Sequence, residues 1–496
     1  MNGKHYYKTK VVKVGKWALL PLDGETWFGN KSSDYFKKYF GIYKGGLYLC
    51  SDGLFHGYLA KDLFENLKRR IIGINKKNYQ ALEKKLQFFY TLKKSAQLAI
   101  TSDSKLQYSK LSNKQLANRF LFIRDWVRKV TIFDQFGFIG EDFLLSLAEE
   151  ILVNKLNLVK KSPAYNEVLF ALTKPEAIST TLSEKRFILR KAIDIKNKKT
   201  SLEKASKVLA KKFGWMPVFC YGIPWDDIYY QKELTVVLKN NLQKLEKDYL
   251  KLKDYKRNRN NEIAHLVVRY KIKAQDLQKF IDFGLALDGR NEAEYFVSFS
   301  GFYLLPLHKE IAKRLSVSVN QVRMLFEDEL EDCLNGKKDI NKILNSFGKV
   351  RGFGFNREMS KRFIFSGSEA AKMFKYIEKN SSNAQGNDEI QGICASSGKA
   401  KGTIRIIPSP DYNDKVKAGD ILVSYATTVD YLPAMKRAAA IITEVGGLTC
   451  HAAVVSREFG IPCVIALKNA MTNFKDGDLV EVDADRGLVK VLQKSK

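Results

Sequence analysis

Gly446-Gly447-Leu448-Thr449-Cys450-His451-Ala452-Ala453-Val454-Val455-Ser456-Arg457 decides how this 496-residue chain is read. The residues before it, Ala438-Ala439-Ala440-Ile441-Ile442-Thr443, are small and then β-branched, the composition of a short buried strand. Two glycines follow, and they let the backbone turn at positive φ and approach a ligand closely. Thr449 is a suitable N-cap, and apolar spacing up to Phe459 predicts a short amphipathic helix closed by Gly460 and Pro462. His451 then falls in the first turn of a helix, beside a bare glycine loop.

Unpaired N–H groups and the positive end of the helix dipole make such a turn an anion site. Imidazole is a competent nucleophile near neutrality, because its ordinary pKa of about 6.5 leaves much of it unprotonated at pH 7. The combination points to a phosphohistidine. A packed or capping histidine is the structural alternative.

The whole pattern from Gly446 to Arg457 resembles the active-site signature of the phosphohistidine (swivelling) mobile domain of PEP-utilising enzymes. That domain is shared by phosphoenolpyruvate synthase, pyruvate phosphate dikinase and rifampin phosphotransferase. Further segments resemble it in the same order: Gly419–Val423, Asp430 before a short helix containing Pro433, Gly460–Val464 and Asp476–Asp483. Glu444 stands where aspartate is common, which keeps the charge. The resemblance implies that His451 carries the phosphoryl group, and that Gly446, Gly447, Thr449 and Arg457 bind or position it. For Thr449 it also implies a possible regulatory phosphorylation, with an N-cap as the alternative.

Composition sets bounds on the rest. A length of 496 residues fits two to four domains, and 45% apolar residues supply real cores. The six cysteines form no CxxC pair and have no histidine at zinc spacing, so reduced thiols in a cytoplasmic protein are expected, with no metal site. No run of about 18 apolar residues could cross a bilayer. The net charge of +30 is unevenly placed: residues 391–496 hold 14 Lys and Arg against 11 Asp and Glu, or +3, which leaves +27 on residues 1–390. A basic body could attract nucleic acid, but the lysines do not gather in a block with interleaved aromatics, and this partner is disfavoured.

In chain order, residues 1–70 alternate like strands near Val11–Val14 and Gly46–Cys50, with a turn at Asp52-Gly53, and predict a small α/β or β-rich region. Residues 71–379 show helical periodicity, with helices expected near 114–129, 141–156, 164–172, 183–193, 201–211, 232–254, 274–285, 290–313 and 318–334. One interruption, 212–226, holds two Gly, two Pro and five aromatics. Its Phe213, Trp215 and Trp225 could line an acceptor pocket or plug the helices together. Arg290, Arg351 and Arg362 are candidate phosphate binders, with solvated surface as the alternative. Residues 380–388 are polar and small, and predict a flexible linker to a domain at 389–496. The expected class is multidomain α+β: a mostly α-helical body, a small N-terminal α/β piece and a C-terminal swivelling β/β/α phosphohistidine domain.

The sequence shows no glycine-rich nucleotide loop and no alternation of strand and helix long enough for a barrel. The family's ATP-grasp and barrel domains are therefore expected to be missing. The resemblance then implies a phosphotransferase component. Its phosphoryl group would come from Mg-ATP or PEP at another site, through a separate ATP-grasp partner, and would pass to a small-molecule acceptor on the helical body. No cofactor is recognisable in the chain beyond the covalent phosphohistidine intermediate. The alternatives from other classes are a non-catalytic ligand-binding or regulatory homologue and a basic nucleic-acid-binding protein.

Overall fold

A computed structural model of the chain describes residues 11–17, 30–40, 46–51, 54–60, 62–160, 162–219, 223–346, 350–355, 362–380, 391–448 and 450–495. The chain folds into two compact units, neither of them continuous in sequence: residues 1–140 with 300–387, and residues 141–299 with 388–496. The helical residues 71–379 are shared between them, and the expected 380–388 linker lies, beyond Asn380, outside the described residues.

The first unit carries a five-stranded antiparallel sheet of order β1-β3-β2-β4-β5, built from β1 (Val11–Trp17), β2 (Gly46–Ser51), β3 (Leu54–Ala60), β4 (Val350–Phe355) and β5 (Arg362–Ser366). The N-terminal piece expected over residues 1–70 is thus completed by strands from residues 350–366. Helices Asn30–Phe40, Asp62–Lys77 and Ala81–Asp103 belong to the same unit. Phe40 stacks on Phe136 at 4.2 Å and meets Phe133 edge-on at 5.8 Å, giving this unit an aromatic core.

The second unit joins a helical layer to a seven-stranded sheet of order β12-β11-β7-β8-β9-β10-β6. Its strands are β6 (Ile393–Ser396), β7 (Lys399–Ile406), β8 (Ile421–Ser424), β9 (Ala440–Thr443), β10 (Cys463–Ile465), β11 (Leu479–Asp483) and β12 (Leu488–Gln493). Strands β7 to β10 are parallel, and antiparallel strands flank them. Every residue of β8, β9 and β10 is buried, which is why these strands read as unbroken apolar runs and not as alternation. The strand period of two still sorts their side chains. Ile421, Val423, Ala440, Ile442 and Val464 enter one core, while Leu422, Ile441, Cys463 and Ile465 enter another. That second core runs without a break through Val455 of the His451–Phe459 helix and Met435 to Leu209, Met216, Tyr230 and Leu234 of the helical layer.

Helix starts in the layer follow capping chemistry. Ser162, Ser179, Ser201, Asp226 and Asn241 each accept a hydrogen bond from an N–H of the first turn, at 2.8 to 3.2 Å. The Asn241 cap divides the expected 232–254 helix into Asp227–Val237 and Leu242–Lys253. In the other direction, the expected 114–129 and 141–156 helices are one helix, Asn113–Glu150, closed by a π turn at Ile151–Lys155. Likewise 274–285 and 290–313 merge into Ala274–Leu315, which runs through Gly289 and Pro306. A further helix, Tyr255–Tyr270, has no counterpart in the sequence reading, because only Ile263 and Leu266 of its polar sequence are buried.

Candidate functional site

Strand β9 delivers the glycine loop. Beyond Thr443 the chain stays tied to the loop after β8, with Glu444 N donating to Ser424 O and Val445 N to Tyr425 O, both at 3.0 Å. The Glu444 carboxylate accepts the Met471 N–H at 3.0 Å, a structural use of its charge. Gly446 has φ +137°, where L side chains are strained, and a Cβ there would lie 2.9 Å from the Cys450 sulfur. Gly447 is held open for a different reason: a Cβ on it would come 2.2 Å from Oε1 of Glu141.

The helix begins at His451, and its N-cap is Cys450, whose side chain makes no capping hydrogen bond. The cap expected at Thr449 therefore falls one residue later, and Thr449 itself lies outside the described residues. Gly460, at φ +68°, ends the helix in the left-handed conformation as the sequence predicts.

His451 is 3% exposed. Its Nδ1 lies 3.2 Å from the hydroxyl of Thr427, and its Nε2 is buried with no hydrogen-bond partner among the described residues. The Tyr295 ring faces the imidazole at 6.4 Å between centroids, tilted by 58°. Tyr295 is fully buried, and its hydroxyl hydrogen-bonds that of Thr181. Burial pushes the His451 imidazole down from 6.5 to about 3, so the ring is neutral throughout the physiological range. On the same helix, Glu458 encloses a carboxylate oxygen with no partner, and burial raises its carboxyl to about 8 despite the Ser179 and Thr181 hydroxyls.

Arg457 braces the loop. Its guanidinium donates to Leu448 O at 2.8 Å and to Ala395 O at 3.2 Å, and it lies 5.1 Å from the Phe170 ring centre. It therefore fixes the path of the glycine loop against β6. Of the candidate phosphate arginines, Arg290 donates to Glu141 at 3.1 Å, and the other oxygen of that carboxylate faces Gly447, while the side chains of Arg351 and Arg362 lie outside the described residues.

The structure places the three aromatics of the expected acceptor pocket in packing contacts. Phe213 is buried edge-on against Phe187 at 5.7 Å, Trp215 donates to Lys212 O at 2.8 Å and meets Phe299 edge-on at 5.4 Å, and Trp225 stacks on Tyr229 at 4.4 Å. Phe213 and Trp225 belong to the continuous core and Trp215 packs against it, so the three serve as a plug between helices. Gly214 permits this plug: Trp225 N donates to its carbonyl at 2.9 Å, and a Cβ on it would lie 2.4 Å from Trp225 O. Among the described residues no group of three or more His, Cys, Asp and Glu could hold a metal ion, and no helix is long and apolar enough to cross a membrane.

The sequence reading missed Thr427, Tyr295, Thr181 and Glu141. Thr427 was within reach, because it follows β8 as His451 follows β9, and loops at the C-terminal ends of adjacent parallel strands converge. The other three come from distant helices and carry no local signal.

The parallel strands thus bring a buried histidine to a helix start beside a glycine loop. Residues 416–487 match the family "PEP-utilising enzyme, mobile domain". A probable phosphoenolpyruvate synthase of Archaeoglobus fulgidus is 50% identical over 172 residues, 34% of this chain and 22% of that protein. The phosphoenolpyruvate synthase of Pyrococcus furiosus is 53% identical over 100 residues, 20% of this chain and 12% of that protein. An uncharacterized phosphotransferase of Bacillus subtilis, YvkC, is 39% identical over 178 residues, 34% of this chain and 21% of that protein. The matched stretch thus spans less than a quarter of the length of each of these relatives. An NMR structure of Enzyme I aligns with 64% of this chain and 81% of its own at 15% identity, with a TM-score of 0.17, which has no bearing on the fold.

Proposed function

We propose that this chain is a cytoplasmic phosphotransferase component that carries a phosphoryl group on Nε2 of His451. The observation that carries this reading is the split environment of one imidazole: Nδ1 is engaged by Thr427, while Nε2 is unpartnered at the start of a helix that follows a glycine loop. With its proton on Nδ1 and donated to Thr427, the ring presents the Nε2 lone pair. That pair attacks phosphorus in line, the P–N bond forms, and the bond from phosphorus to the donor's leaving oxygen breaks. An acceptor oxygen then attacks the phosphoryl group, the P–N bond breaks, and the imidazole returns neutral. Backbone N–H groups of the first helical turn and the Gly446-Gly447 loop would hold the anion, with Arg457 holding the loop.

The donor is assigned to Mg-ATP or PEP at a separate ATP-grasp partner, and the acceptor to a small molecule bound by the helical layer. Phosphoryl transfer as such is supported by the family match of residues 416–487 and by the phosphoenolpyruvate synthase and phosphotransferase names of the relatives. The test is incubation with labelled ATP or phosphoenolpyruvate, alone and with an ATP-grasp protein from the same cell. An acid-labile, alkali-stable adduct on the wild type that is absent from His451→Ala supports the reading. Equal labelling of the two proteins refutes it.

A further inference from the structure

The Leu432–Arg437 helix, which follows the Thr427 loop, meets the helical layer through one charged side chain, Lys436. Its ammonium lies 3.0 Å from Oε2 of Glu184 and 3.3 Å from Oε2 of Glu233, on the Thr180–Lys196 and Asp227–Val237 helices. The Lys436 side chain is 11% exposed and that of Glu184 is 0%. Tyr230 donates its hydroxyl to the other oxygen of Glu184 at 3.1 Å, and Lys436 sits 5.6 Å from the centre of the Trp225 ring. The Tyr229 hydroxyl and the Lys185 ammonium also lie within electrostatic reach of Lys436, in otherwise apolar packing.

The cluster is tied to the site at both ends. Glu184 lies one helical turn after Thr181, which holds the Tyr295 that faces His451. Lys436 lies on the helix just after Thr427, the partner of Nδ1. In this arrangement His451 is 3% exposed and its Nε2 is buried.

We propose that Lys436, Glu184 and Glu233 form a latch that fixes the pose of the His451 domain on the helical layer, and that His451 is charged only while the latch is open. The proposal rests on the carrier reading above. Apolar burial is non-directional and would hold the surfaces together in many poses. An ion cluster selects one pose, and its desolvation cost is recovered when the surfaces part and the charges return to water. A contact that must form and break repeatedly is suited by such a key. Burial opposes the charge on Lys436, but Glu184, Tyr229 and Glu233 together hold its pKa well above the ordinary value, while burial raises the carboxyl of Glu184 itself. Lys436 is thus a positioning residue, acting on His451 through Thr427 and Tyr295.

The test is the rate at which diethyl pyrocarbonate modifies each histidine, followed by peptide mass spectrometry, with exposed His265 as the reference within the same chain. In the wild type, His451 should react at least about tenfold more slowly than His265. Lys436→Glu places like charges together and should raise the His451 rate at least about tenfold, which is less than the full cost of breaking one buried ion pair. The charge-reversed pair, Lys436→Glu with Glu184→Lys, should restore slow reaction. Should Lys436→Glu fail to fold, Glu184→Gln keeps the shape and the Tyr230 contact, and should give a smaller rise in a protein with wild-type circular dichroism. An unchanged His451 rate in a folded single variant, or a folded reversed pair as reactive as Lys436→Glu, would overturn the latch. Modification reads access to the imidazole whether or not it carries phosphate, so failed phosphoryl labelling with protected His451 would count against the carrier reading alone.

Discussion

The hydroxyl of Thr427 stands 3.2 Å from Nδ1 of His451, and among the described residues it is the one hydrogen-bonding group at that imidazole. A ring held at one nitrogen presents the other in a fixed direction. Thr427→Val keeps the shape and removes the contact, so the rate of phosphoryl uptake on His451 should fall about tenfold to a hundredfold, within the range of positioning and general acid–base effects. Rapid-quench labelling checks this, with melting temperature as the control for folding.

Gly447 and Glu141 make the second prediction. A methyl group on Gly447 would stand 2.2 Å from Oε1 of Glu141, whose other oxygen is held by Arg290. Gly447→Ala should therefore push this carboxylate away and destabilise the second unit by about 1–3 kcal/mol. Adding Glu141→Ala should recover part of that loss, and the non-additivity of the two changes in a denaturation cycle measures the contact.

Two buried groups give opposite pH dependences. His451, lowered from 6.5 to about 3, contributes stability that is present above pH 6.5 and lost as pH falls toward 3. Glu458, raised from 4.5 to about 8, contributes stability that is present below pH 4.5 and lost as pH rises through 8. Glu458→Gln should thus melt higher than the wild type at pH 8.5, and the advantage should vanish near pH 4.5. A constant difference across that interval would contradict the buried-carboxyl assignment.

The aromatic plug yields a further outcome. Trp225, buried in the continuous core and stacked on Tyr229, should cost about 3–5 kcal/mol when changed to Ala. The loss should appear in urea unfolding without any added small molecule, as expected of packing and not of a ligand-binding wall.

What could be read from the sequence was local. The apolar run at Ala440–Thr443, the glycine pair and Gly460 act within a few residues, and strand, loop and helix end follow from them. Helix junctions were harder, because Gly289 and Pro306 look like breaks while packing carries one helix through both. Strands β4 and β5 complete an N-terminal sheet from far along the chain, and no local pattern announces that pairing. At the site, His451 was visible because its chemistry sits in a motif, whereas Tyr295 and Glu141 reach it only by tertiary contact. The three aromatics of 212–226 leave pocket wall and plug both open, since an apolar loop can wall a cavity or fill one, and composition is the same for both.

The most direct test of the central claim is to phosphorylate the chain with all five histidines labelled by 15N and to read the ring nitrogens by NMR. The account predicts phosphorus coupling at a single nitrogen, Nε2 of His451, with Nδ1 still protonated and hydrogen-bonded. Coupling at another histidine, or at Nδ1 of His451, would contradict it.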